Sequence, residues 1–70
     1  MNQVEFINWT VEGRKEVVVI TKSGEVVRGT AWAFDEGNLQ VASDDIGIQR
    51  IQVEQITDIF SIQTKKIPEL

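Results

Sequence analysis

Apolar positions follow one period at the start of the chain and another through the rest of it. In QVEFINWTV (3–11), Val4, Ile7 and Val11 recur at helical spacing, with Phe6 and Trp9 beside them. This predicts a short amphipathic helix over about 3–11. Gly13 is placed to end it, as a glycine commonly does. From there the apolar residues are β-branched and alternate with polar ones. EVVVITK (16–22) reads as a strand buried on at least one face. Ser23-Gly24 is the turn into its antiparallel partner, EVVRGTAWAF (25–34). DEGN (35–38) is a second turn and LQVAS (39–43) a third strand. Asp44, Asp45 and Gly47 bound a third turn before GIQRIQV (47–53), the fourth strand. Glu54-Gln55 make a short link to ITDIFSI (56–62), the fifth. The polar tail QTKKIPEL (63–70) holds the only proline and reads as loose. A helix followed by five short strands with tight turns predicts a mainly β, small barrel.

Gly29 interrupts the second predicted strand. A glycine inside a strand weakens it unless the backbone bends sharply or another chain comes close. In a small barrel one strand must turn the corner between two sheets, and Gly29 is well placed for that. Ala31 and Ala33 are small enough for a tapered interior, or to leave room for Trp9. By alternation Trp32 points the other way.

Seventy residues make one domain, spanning 1–70, near the lower end of what folds alone. There is no cysteine for a disulfide or thiolate site, and no histidine, the commonest metal ligand and neutral-pH acid or base. Small unstapled domains often gain stability by oligomerising. No apolar run reaches the roughly 18 residues of a membrane span, and no leader pattern opens the chain. The expectation is a soluble, cytoplasmic protein. Seven basic and eleven acidic side chains give a formal charge of −4, which counts against nucleic acid. Arg14, Lys15, Lys22 and Arg28 nevertheless fall within a short stretch.

The glycines and the Phe-Asp pair have a further meaning. Gly24, Gly29, Phe34 and Asp35 stand at the spacing of the first motif of Sm-like proteins. Phe6-Ile7-Asn8 resembles the start of the helix in the bacterial Hfq branch of that family, at the matching distance from the turn glycine. IQVEQITDI (51–59) resembles the second motif, which ends in isoleucine-x-x-isoleucine. The three segments cover about residues 6 to 60. The resemblance implies a short helix and a strongly bent, five-stranded antiparallel barrel. It also implies a homo-oligomeric ring of about five to seven copies that binds single-stranded RNA, as a post-transcriptional regulator or RNA chaperone.

The family's contact residues are mostly replaced. Gly37 stands where the uridine face has an aromatic, and Gln52, Val53 and Glu54 replace its Tyr-Lys-His run. Ile20 stands where the adenine face has an aromatic, and the basic rim is reduced to Arg14. Asn38 lies three residues after Asp35, where the eukaryotic and archaeal pattern has its Asn at four. The candidate RNA-contact set is therefore Asp35, Glu36, Asn38 and Gln52, helped by Arg14, Arg28 and Trp32. An acidic ring that binds protein is the rival.

Asp35-Glu36 and Asp44-Asp45 are carboxylate pairs, but both fall in predicted turns, where Asp caps its own backbone. No EF-hand spacing, phosphate loop or nucleophile–base set occurs. No metal, cofactor or catalytic activity is expected. Asn38 reads as a left-handed turn residue. Trp32 has two readings, a stacking or anchoring surface residue and one covered by the helix, the tail or a neighbouring subunit. The fourth and fifth strands lack the lysine or proline that blunts an exposed edge. Their edges are expected to pair between subunits, with Ile48, Ile51, Val53, Ile56 and Ile59 at the interface.

Overall fold

A computed structural model of the chain describes residues 2–62. The predicted tail lies outside the described residues. The helix, α1, spans Gln3–Glu12. The Asn2 side chain accepts from the Glu5 amide at 2.8 Å, and the Glu5 carboxylate accepts from the Asn2 amide at 3.3 Å. This reciprocal capping box satisfies two donors that the first turn leaves over. Gly13 caps the other end with φ −91°, so the left-handed residue there is Arg14, at φ 48°.

Five strands follow: β1 (Glu16–Thr21), β2 (Val26–Asp35), β3 (Asn38–Ser43), β4 (Gly47–Gln52) and β5 (Ile56–Ile62). They form one antiparallel sheet in the order β4-β3-β2-β1-β5. Asp35 pairs with Asn38, leaving Glu36 and Gly37 as a two-residue loop with φ 51° and 78°. Positive φ at both positions is the type I′ geometry that suits hairpin twist. The left-handed conformation expected at Asn38 is thus carried by its two predecessors, and Asn38 opens β3. In the β3–β4 turn the capping oxygen also differs from expectation. Ser43 Oγ accepts from the Ile46 amide at 3.2 Å, in the place expected for an aspartate.

The sheet is not closed as a barrel within the chain, which corrects the expectation of a closed one. Residues Val53–Gln55 form a 3₁₀ turn, where Val53 was expected to extend the fourth strand. Its ends are tied to different hairpins. The Val53 amide donates to the Gly37 carbonyl at 2.9 Å, and the Lys22 amide donates to the Gln55 carbonyl at 2.8 Å. The chain is thereby carried across the sheet: among the described residues β4 pairs only with β3 and β5 only with β1. Two strands adjacent in sequence end as the two opposite edges.

Two features interrupt the regularity of β2. A Cβ at Gly29 would meet the Ala42 carbonyl oxygen and lie 2.8 Å from Val41 Cγ1, so β3 passes where only glycine fits. Two residues on, the β2–β3 register shifts between Ala31 and Ala33, leaving Trp32 as the extra residue of a bulge.

The sheet and α1 enclose one core. Ile7, Val17, Val19, Leu39 and Val41 are fully buried, with Val27, Ala31, Ile51 and Ile56 beside them. Each buried Val, Leu or Ile side chain contributes about 1.5–3 kcal/mol. Ile7 is the helix residue that enters this core. Trp9 remains 40% exposed.

Candidate functional site

The predicted contact residues fall into three places. The first is built on the β2 bulge and the α1–β1 connection. The Arg14 guanidinium donates to the Trp32 carbonyl and stands over the indole, 4.3 Å from the ring centre. The neighbouring Ala31 amide donates to the Lys15 carbonyl at 2.9 Å, so the connection is stitched to the bulge from both sides. The bulge explains why the Trp32 carbonyl is open to a side-chain donor, since local disruption of the ladder frees backbone groups there. A non-glycine residue at positive φ costs conformational energy, which the Arg14 contacts offset. Trp32 is 45% exposed, so α1 does not cover it. A guanidinium carries five donors, more than one carbonyl can take. Beside an indole face, it offers a planar surface next to hydrogen-bond donors suited to phosphate.

Lys15 makes a parallel contact on the helix side, with Nζ 4.5 Å from the Trp9 ring centre. Phe6 completes that cluster at 5.7 Å from Trp9. Along its flank runs a groove of about 550 Å³ lined by Phe6, Trp9, Ile59, Phe60 and Ser61. The Ser61 hydroxyl is buried there without a hydrogen-bond partner among the described residues.

The second place is the end of the β2–β3 hairpin. Register brings Asp35, Asn38 and Gln52 into one row, with Glu36 in the adjoining turn. Asp35, Glu36 and Gln52 are exposed and Asn38 is half-buried. That row carries two carboxylates and no cation, so it repels phosphate. Phe34, which precedes it in the motif, packs partly buried against the core.

The third is Arg28, which the fold separates from the other six. It lies further back on β2, where its Nε donates to the Glu16 carboxylate at 3.1 Å. Together with Glu16, Asp44 and Asp45 it borders a depression of about 360 Å³. Among the described residues no group of His, Cys, Asp or Glu is arranged to hold a metal. No helix among them is long and apolar enough to cross a membrane.

The predicted interface residues divide as well. Ile51 and Ile56 are buried in the chain's own core, and Val53 and Ile59 pack against it. Ile48 alone is open, at 55% exposure, with Ile46 beside it at 68%. Sequence reasoning missed Phe60, which is 52% exposed on β5. Its signal was available: it is one residue from Ile59 in a strand, so the two occupy opposite faces.

Cross-strand pairing also fixes what lies on the face away from the core. Val26, Ile20 and Asp58 form one row across β2, β1 and β5, and Arg28, Val18 and Phe60 form the next. Paired residues share a face, and Val17 and Val19 hold the core side. No protein-family model matches the chain, and no curated protein matches it significantly.

Proposed function

We propose that the protein is an Sm-like module that assembles into a homo-oligomeric ring and binds single-stranded RNA. The observation that carries the ring is the pair of edges, at opposite ends of one sheet, that are unpaired among the described residues. Neither β4 nor β5 contains a lysine or proline, and each exposes an apolar residue, Ile48 or Phe60. Unblunted edges of this kind are templates for pairing. Joining β4 of one copy to β5 of the next is a head-to-tail contact, and it generates a ring when the rotation closes. The closure absent from the single chain is then supplied by its neighbours.

The RNA reading rests on Arg14 and Trp32. Base stacking on an aromatic side chain contributes about 1–3 kcal/mol per base, and the adjacent guanidinium supplies phosphate contacts. The acidic hairpin end favours a second reading, a ring that binds a basic protein surface through Asp35 and Glu36.

The test measures native mass first and then fluorescence anisotropy with labelled oligo-U and oligo-A at low and moderate salt. Assembly with micromolar or tighter binding that weakens with salt supports the RNA ring. Assembled protein that binds neither oligonucleotide at low salt rejects RNA and leaves the protein-binding ring. Ile59→Lys is a poor probe of the edge because Ile59 also packs on the core. Ile48→Lys is the cleaner variant.

A further inference from the structure

The face of the sheet turned away from the core carries an apolar stripe that no element among the described residues covers. Val26, 65% exposed, lies beside Ile20 on β1, and Phe60, 52% exposed, lies beside Val18. Ile20 and Val18 are two residues apart on the same strand and are half-buried. Four apolar side chains are therefore contiguous across β2, β1 and β5. The two remaining positions of this two-by-three patch are charged. Arg28 occupies one corner, on β2, and Asp58 the diagonally opposite corner, on β5.

That arrangement is self-complementary. Consider a two-fold axis lying in the plane of the patch, along the diagonal from Val26 to Phe60. It lays Val26 over Val26 and Phe60 over Phe60 of a second copy. The same rotation exchanges the other diagonal, so each Arg28 meets the second copy's Asp58. Apolar side chains are buried against their own kind, and two ion pairs close the rim. An isologous contact requires a patch of this property.

We propose that this face is a docking surface for a second copy of the chain, paired back to back through Val26, Ile20, Val18 and Phe60, with reciprocal Arg28–Asp58 ion pairs. Six residues fall well short of the roughly 20 to 30 a side found in stable pairs. One such contact does not hold two lone chains together. Repeated around a ring, the contacts act in concert and their strengths multiply, so the inference rests on the ring proposed above. It predicts two rings stacked with dihedral symmetry. Arg28 then has a role in assembly, with its Glu16 contact orienting the guanidinium within one chain. The six residues so covered are closed to RNA, and Arg14 and Trp32 are not among them.

Native mass measurement of the full chain tests this. The wild type is expected at twice the mass of Val26→Glu, which loses the stripe but keeps both sheet edges. Arg28→Glu and Asp58→Arg are each expected to halve the mass, and the double variant to restore it. Rescue separates the intermolecular pair from the internal one, because Glu16 still lacks its arginine in the double variant. A wild type already at the mass of Val26→Glu, with more than two chains in each, overturns the stacking and leaves the ring standing. A wild type at the mass of one chain overturns both. Halving without rescue overturns the ion-pair geometry.

Discussion

The two faces of β1 differ in how completely the chain covers them. Val17 and Val19 are fully buried, enclosed by β2, β5 and their neighbours in the core. Val18 and Ile20 alternate with them, are just as apolar, and are only half covered. A strand with apolar residues on both faces is ordinarily buried on both sides. Among the described residues one helix serves five strands, and it packs on one face. The difference separates what holds the fold together from what stays open to solvent. Val27, Leu39 and Val41 belong with the first group, and Val26, Phe60 and Ile48 with the second.

Substitutions sharpen that division. The largest effects belong to the enclosed side. Leu39→Ala is expected to lose about 2–5 kcal/mol in urea or thermal unfolding. Gly29→Ala forces a Cβ against the Ala42 carbonyl and is expected to shift β3 or unfold the sheet, read as a lowered melting temperature. The open side is expected to behave otherwise. Trp32→Ala is expected to weaken oligonucleotide binding by about 1–3 kcal/mol, while the midpoint of unfolding moves little. Asn2→Ala removes the helix cap and is expected to cost about 1 kcal/mol with no change in assembly. Smallest is the Arg28–Glu16 pair. Its arginine side chain is 64% exposed, so a double-mutant cycle within one chain is expected to give at most about 1 kcal/mol. A larger value would move Arg28 from the open side of the comparison to the enclosed one.

Much of the fold was legible because the period of apolar residues changes where the elements change. The fifth strand was read at its observed bounds, 56–62, and α1 within one residue of its end. Gly29 was read as the corner-turning bend, and what the structure shows there is the other reason for a glycine inside a strand, close approach by β3. Other features depend on backbone detail that alternation does not report. Val53 continues the apolar pattern of β4, yet it turns because its amide pairs with the Gly37 carbonyl. The bulge at Trp32 leaves that residue pointing outward, so alternation gave the correct face without revealing the irregularity. The cap was present in the sequence as Asn2 and Glu5, three residues apart, a recognised spacing for capping boxes. The candidate site was less legible than the fold. Arg14 and Trp32 are eighteen residues apart, and nothing in the period brings them together. Arg28 was grouped with them by sign of charge, whereas its position on the sheet sets it apart.

Free edges are the central claim, and native mass spectrometry of the wild type beside Ile48→Lys tests it most directly. Circular dichroism of both proteins establishes that the exposed substitution leaves the fold intact. The account predicts a wild-type assembly at a fixed multiple of 7.9 kDa, larger than a pair, and a folded Ile48→Lys protein at the mass of one chain. A wild type that stays at one chain at tens of micromolar, or an Ile48→Lys protein that assembles unchanged, would contradict it.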